Sequence, residues 1–147
     1  MWQIQTFSEL DQIDLYQILA LRTATFVVDQ KRIYQEVDGQ DLKAIHVFNR
    51  SPARQIAAYA RVFLSDQGTK VTFGRVVTAP EFRGQGLGAK LMELVLTTIA
   101  QRFPGIPIEI EAQIQVVPFY EKYNFTKIGE PFIFQQTPHV RMGHLAL

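Results

Sequence analysis

The stretch Val76 to Lys90, VVTAPEFRGQGLGAK, constrains the fold more than any other part of the chain. A valine-rich strand ends near Thr78, Ala79-Pro80 interrupts it, and three alternating glycines, Gly84, Gly86 and Gly88, open a segment of helical period. Leu87, Leu91, Leu94 with Val95, and Thr98 with Ile99 mark one face of that helix, which Pro104 and Gly105 terminate. Pro107 to Ala112 then reads as a buried strand whose Glu109 and Glu111 lie on the wetter face. This strand–helix–strand order makes the two strands parallel across a crossover.

The flanking sequence completes an α/β fold. Trp2 to Thr6 alternates as a half-buried strand. Ser8 and Asp11 read as a capping pair for a helix running to about Val28. Thr23, Thr25, Val27 and Val28 weaken its second half and predict one break. Lys31 to Asp41 is polar, holds the turn signal Asp38-Gly39, and reads as an exposed loop. Ala44–Phe48 and Ile56–Leu64 form a hairpin through Asn49–Ala53, and a turn beginning at Asp66 leads to a third strand, Lys70–Thr78. Val116–Tyr123 fits a short helix with Pro118 in its first turn. Phe125–Ile128 and Val140–Leu147 are terminal strands, expected to be antiparallel around a long connection. The expected architecture is one domain, residues 1–147, with a mixed central β-sheet flanked by helices. It has an antiparallel N-terminal meander and a parallel β-α-β crossover.

Composition removes several functions. Fifteen Lys and Arg against fourteen Asp and Glu leave a charge of +1, too balanced for a global field toward nucleic acid or an anionic membrane. Lys31-Arg32 is the only adjacent basic pair. No cysteine is present, which excludes disulfides and thiolate metal sites, and the three histidines lack metal-ligand spacing. No stretch approaches the roughly 18 apolar residues of a membrane span. The opening residues show no basic segment followed by an apolar run, so a cytoplasmic, metal-free protein is expected, monomeric or homodimeric. Phe132 and Phe134 are read as core residues, with a dimer seam as the other use for them.

The glycine turn has its own chemistry. Glycine lets backbone approach a ligand closely, and the free amides of a helix's first turn bind phosphate oxygens. Arg83 adds a forked cation. Position 89 is alanine, so the dinucleotide pattern Gly-x-Gly-x-x-Gly fails. Lys90 is followed by leucine, so the triphosphate ending Gly-Lys-Ser/Thr fails too. The bland alternative, a tight turn plus close helix packing, explains one or two glycines better than three beside an arginine.

Arg83-Gly84-Gln85-Gly86-Leu87-Gly88 resembles the acyl-CoA motif Gln/Arg-x-x-Gly-x-Gly/Ala of the GNAT superfamily of N-acetyltransferases. Phe119-Tyr120-Glu121-Lys122-Tyr123-Asn124-Phe125 resembles its C-terminal Phe-Tyr-x-x-x-Gly-Phe, with Asn124 replacing glycine. The segments Arg22–Gln30, Tyr34–Asp41 and Thr137–Met142 are similar to those of the ElaA-like acetyltransferases. The resemblance implies acetyl-CoA as the cofactor, with backbone groups of Val76 and Val77 aligning its pantetheine arm. Amides from Arg83 through Ala89, including Gln85 and Leu87, would cradle the diphosphate. The cleft would open between Val77 and the Ile110–Ala112 end of the next strand.

Acyl transfer to an amine needs a neutral nucleophile, a stabilised oxyanion and a protonated leaving sulfur. A backbone amide near Val76 or Val77 is the candidate oxyanion donor. Tyr120, which the resemblance puts beside the sulfur, is the candidate acid, with an ordinary pKa near 10. Glu36, Asp38, His46, Glu111 and His139 are candidate bases or acceptor-binding groups, and a water chain is the alternative to any of them. The expected function is acetyl transfer to a primary amine of a small molecule or peptide. The competing expectation is a non-catalytic acyl-CoA-binding protein.

Overall fold

The computed structural model describes residues 1–147, Asp66 through its backbone only. Seven strands form along the described chain: β1 (Trp2–Thr6), β2 (Ile45–Arg50), β3 (Ile56–Ser65), β4 (Lys70–Thr78), β5 (Ile108–Gln113), β6 (Thr126–Phe134) and β7 (Thr137–His144). The α-helices are α1 (Gln12–Arg22), α2 (Leu87–Arg102) and α3 (Val117–Glu121). The strands lie in one sheet, ordered β1-β2-β3-β4-β5-β7-β6. Only the β4–β5 pair is parallel. The expected meander and crossover are both present.

Successive strand residues face opposite sides of the sheet, so Val47 and Phe48 serve two different cores. On one face, Leu91, Met92, Val95 and Ile99 of α2 pack on Val47, Ala60, Val62, Val71 and Phe73. On the other, Ile18 and Phe26 pack on Phe48, Ile56, Tyr59 and Val77. Of the apolar spacing read for α2, Leu91, Val95, Thr98 and Ile99 are buried, Leu87 and Leu94 are half-buried, and the fully buried Met92 lies outside that reading.

Two departures in β4 position the site. Arg61 pairs with Gly74 and Tyr59 with Val77, so Arg75 and Val76 together stand opposite Ala60. Arg75 has φ +53°, and this β-bulge bends the strand. The parallel register with β5 comprises the single pair Val71–Ile108, anchored by the Val71 N–H donating to Pro107 O at 3.0 Å. Beyond that pair the two strands part.

Four expectations are corrected. Ser8 caps nothing: Thr6 and Glu9 form a capping box around the single turn Phe7–Glu9. Asp11 then caps α1 by accepting the Asp14 N–H at 2.8 Å. The helix breaks where its weak formers predict, changing to a π-helical segment at Thr23–Asp29. Its buried line, however, is Asp14, Ile18, Arg22 and Phe26 at i, i+4 intervals, leaving Ile13 and Tyr16 exposed.

Lys31–Asp41 is not an exposed loop. Its pattern is inverted: Arg32, Glu36 and Asp41 are buried, while Ile33 is 84% exposed. Finally, β6 and β7 are joined by Gln135-Gln136, both at positive φ, and not by a long connection. Positive φ at both central residues matches the right-handed twist of a two-residue hairpin. β6 reaches back to Thr126 because Gly129, Glu130 and Pro131 bulge opposite Val140 alone. It is an edge strand, where a proline costs no ladder bond.

Candidate active site

The parting of β4 and β5 opens a cleft of about 970 Å³ that passes through the sheet. Gly88, Arg83, Phe119 and Tyr120 line it on the α2 side; Tyr34, Asp38, Arg61 and His139 line it on the other. Val76 and Val77 border it along β4, and Ile110, Glu111 and Ala112 along β5. This is the opening expected between Val77 and residues 110–112.

On the α2 side, Gly86 has φ +77° and caps the helix without a side-chain hydrogen bond. The first-turn amides of a 16-residue helix therefore have no internal acceptor and no capping oxygen. A Cβ added at Gly84, Gly86 or Gly88 would meet nothing within 4 Å. Close helix packing is thus not what these glycines serve. Gly88 is in ordinary helical geometry, where glycine costs about 1 kcal/mol relative to alanine. Its missing side chain leaves open space on the cleft wall. Gly84, Gln85, Gly86, Leu87 and Ala89 form the turn around Arg83 and Gly88. Arg83 is exposed, its Nε 3.3 Å from Thr78 O, leaving its terminal nitrogens for an anion. Donors, open space and a cation that forms no ion pair among the described residues fit a diphosphate.

Tyr120 stands in α3, its ring edge-on to Phe73, Phe119 and Phe125 at 5.3–6.1 Å between centroids. Asn124 takes φ +70°, so the turn survives the loss of glycine. The Tyr120 hydroxyl has no hydrogen-bonding partner among the described residues. Burial pushes its pKa above the ordinary tyrosine value assumed from sequence. The phenol stays protonated throughout the neutral range.

On the opposite side, three arginines and three carboxylates form a closed circuit. Arg22 Nε meets Glu36 Oε2 at 2.7 Å, and the same oxygen meets Arg75 Nε at 2.8 Å. Arg75 Nη2 lies 3.4 Å from Asp38 Oδ2, which pairs with Arg61 Nη2 at 2.7 Å. Arg61 Nη1 and Arg22 Nη1 close the circuit on Asp41 Oδ1 at 3.0 and 2.7 Å. Tyr34 also donates to Glu36. Burial alone would raise the Asp38 pKa, but the hydrogen bond and charge of Arg61 hold it at about 2.

This circuit changes the reading of three candidates. Glu36 is buried in it and does not line the cleft. Asp38 lines the cleft but is bound to two guanidinium groups. His46 is fully buried; its Nε2 donates to Asp41 O at 3.0 Å and its Nδ1 accepts from Tyr59 Oη at 2.7 Å. Both imidazole nitrogens are spent and neither reaches the cleft, so His46 is placed as structural support. The residues missed from sequence are the cations of this face: Arg22, Arg32, Arg61 and Arg75.

His139 is differently placed. It lines the cleft, and its Nδ1 lies 2.7 Å from Thr137 O. A carbonyl only accepts, so the proton is on Nδ1 and Nε2 carries the lone pair. Burial lowers its pKa below the ordinary histidine value. Phe132 stacks on the ring and Phe134 meets it edge-on. Those phenylalanines, read as core residues, belong to neither core cluster and hold an imidazole instead. Glu111 is exposed on the same sheet face, whereas Glu109 is bound to Arg141 at 3.2 Å. No group of His, Asp and Glu able to hold a metal occurs among the described residues. No helix among them is long and apolar enough to cross a membrane.

Comparison with known proteins agrees with this layout. The family model described as acetyltransferase (GNAT) domain matches residues 9–145. The chain belongs to the GNAT acetyltransferases, and it is an enzyme of that class. Within the family it is ElaA-like. It is 35% identical to protein ElaA of Escherichia coli over 97% of this chain and 94% of that one. The crystal structure of Escherichia coli ElaA superposes with a TM-score of 0.90 over 97% and 98% of the two chains, at 34% identity. An acyl-CoA N-acyltransferase from Pseudomonas aeruginosa gives the same TM-score at 35% identity over 97% of each chain. Acetyl-CoA-dependent acetyl transfer is the general activity of this family.

Proposed function

We propose that this chain transfers the acetyl group of acetyl-CoA to a primary amine of a small molecule or peptide, in a ternary complex within the cleft. The observation carrying this reading is the division of the cleft: a protonated phenol and a helix end with uncapped amides on one side, a neutral imidazole on the other. Acetyl-CoA supplies an activated thioester carbon, and a C–N bond forms there as the C–S bond breaks.

The chain's own groups manage charge and protons. The bound ammonium first gives one proton to water, leaving the neutral amine, and His139 Nε2 takes a second from the attacking nitrogen as the C–N bond forms, becoming imidazolium. A backbone amide near Val76 or Val77 is the donor offered to the developing oxyanion; Val76 stands in the bulge, while Val77 is in register with Tyr59 of β3. Tyr120 gives its Oη proton to the leaving sulfur. The proton held by His139 is released to solvent and the phenol is recharged, so protons balance over a turnover. Glu111, exposed beside the path, attracts a cationic amine. Lining the amine up with its target contributes independently of any proton transfer.

Tyr120→Phe tests this assignment. Acetyl-CoA affinity should remain within about twofold while kcat falls about a hundredfold, the size of a lost general acid. Undiminished kcat across the accessible pH range would remove Tyr120 from the mechanism.

A further inference from the structure

Three arginines are buried among the described residues: Arg22, Arg32 and Arg61. Arg22 and Arg61 each contact two carboxylates in the closed circuit. Arg32, only 5% exposed, forms no ion pair with any described carboxylate. Its partners are neutral: Nε donates to Gln135 O at 2.8 Å, Nη2 to Phe134 O at 3.4 Å, and Nη1 to Gln30 Oε1 at 3.2 Å. Its guanidinium also covers the Tyr34 ring at 4.8 Å. A guanidinium has five N–H groups, so one hydrogen on each terminal nitrogen remains unused.

Burying a cation without an anion is costly, and proteins ordinarily pair such groups. Arg32 lines the cleft on the acceptor side, where His139 feels the charge of both Arg32 and Glu111. The other cations on this wall are committed: Arg75 to Glu36 and Asp38, and Arg141 to Glu109. What remains on this wall of the cleft is one buried positive charge, one exposed negative charge and a neutral imidazole. An acceptor with an ammonium at one end and a carboxylate at the other complements that arrangement.

We propose that the acceptor is a zwitterionic amino carboxylate whose carboxylate is bound by Arg32 while its amine is presented to His139. This rests on the acetyltransferase reading above and narrows it to a substrate class. The two unused N–H groups, one on each terminal nitrogen, meet the two oxygens of a carboxylate. Two of the three spent ones tie the cation to the end of β6 and its turn, at Phe134 O and Gln135 O, and β6 also carries the phenylalanines around His139. One arginine thus fixes both the substrate's far end and the strand pair that holds the base.

The test uses matched acceptors: straight-chain ω-amino acids of two to six carbons, their carboxamides, and plain alkylamines of equal length. CoA release is followed with wild type, Arg32→Gln and Arg32→Lys. The carboxylates should show kcat/KM at least about tenfold above their carboxamides, the scale of a charge-assisted hydrogen bond. Arg32→Gln should abolish that preference chiefly through KM, and Arg32→Lys should restore part of it. A purely structural Arg32 would instead lower both acceptor series equally. Equal wild-type rates for carboxylate and carboxamide, or an equal fall in both on substitution, would overturn the inference.

Binding of the N-acetylated ω-amino acids, measured by calorimetry, separates this inference from the reading beneath it. Binding to wild type but not Arg32→Gln, with no turnover of any amine, would keep the carboxylate site and sink the acetyltransfer assignment. Turnover confined to plain amines would do the reverse.

Discussion

At the scale of single residues, tautomer and hydrogen bonding decide which histidine can act. His46 and His139 are both buried and both have lowered pKa values, chiefly through desolvation. His46 spends both nitrogens inside the protein, whereas His139 spends only Nδ1 and keeps a lone pair at Nε2. The sign of the resulting pH dependence follows. Below its lowered pKa, His139 is protonated and cannot accept a proton, so kcat/KM should fall as pH drops through a value under 6.5. His139→Gln should lower kcat about a hundredfold and remove that acidic limb. An unaltered pH profile in the variant would exclude the base role. From sequence both histidines are candidates, His46 with a structural role as its other reading, because strand alternation places a side chain on a face but says nothing of its partners.

At the scale of elements, legibility tracked how local the cause was. The glycine turn and α2 were readable because helix breakers, caps and apolar period all lie within a few residues of one another. Tyr120 was found because its position relative to the following turn carries a family resemblance, and Asn124 adopts the left-handed backbone that turn needs. The segment Lys31–Asp41 was misread for a physical reason. Its inward residues are charged and one outward residue is isoleucine, so hydrophobic patterning points the wrong way. The partners that reverse it lie far off in sequence: Arg22, Arg61 and Arg75, from three different elements. The hairpin Gln135-Gln136 was missed because glutamine gives no turn signal, although both residues adopt positive φ.

The same circuit predicts the cost of opening it. Arg22→Met removes the cation that bridges Glu36 and Asp41 and leaves both carboxylates buried without it. Denaturant unfolding should show a loss of about 3–5 kcal/mol, the scale for breaking a buried ion pair from one side. A change below 1 kcal/mol would mean that the circuit does not hold Lys31–Asp41 in place. Arg75 links this stability to the site, since it is both a member of the circuit and the left-handed residue of the β4 bulge. Loosening the circuit should therefore disturb the strand edge at Val76 and Val77 as well.

At the scale of the whole molecule, one sheet with two cores becomes a site because its only parallel pair separates after a single register contact. The α2 core holds the helix whose first turn faces the opening, and the α1 face holds the charged circuit and His139. In the proposed mechanism the sheet acts as a partition with a gap, the acyl donor entering from the α2 side and the amine from the other. The central claim is that exposed amides at the start of α2, beside the open space at Gly88, bind the diphosphate of CoA. Calorimetric comparison of acetyl-CoA with S-acetylpantetheine, which lacks the diphosphate and nucleotide, tests it most directly, using wild type and a folded Gly88→Val variant. The account predicts that wild type binds acetyl-CoA at least about tenfold more tightly than S-acetylpantetheine, and that Gly88→Val erases most of that advantage. Equal affinity of wild type for the two thioesters, or an advantage unchanged by the valine, would contradict it.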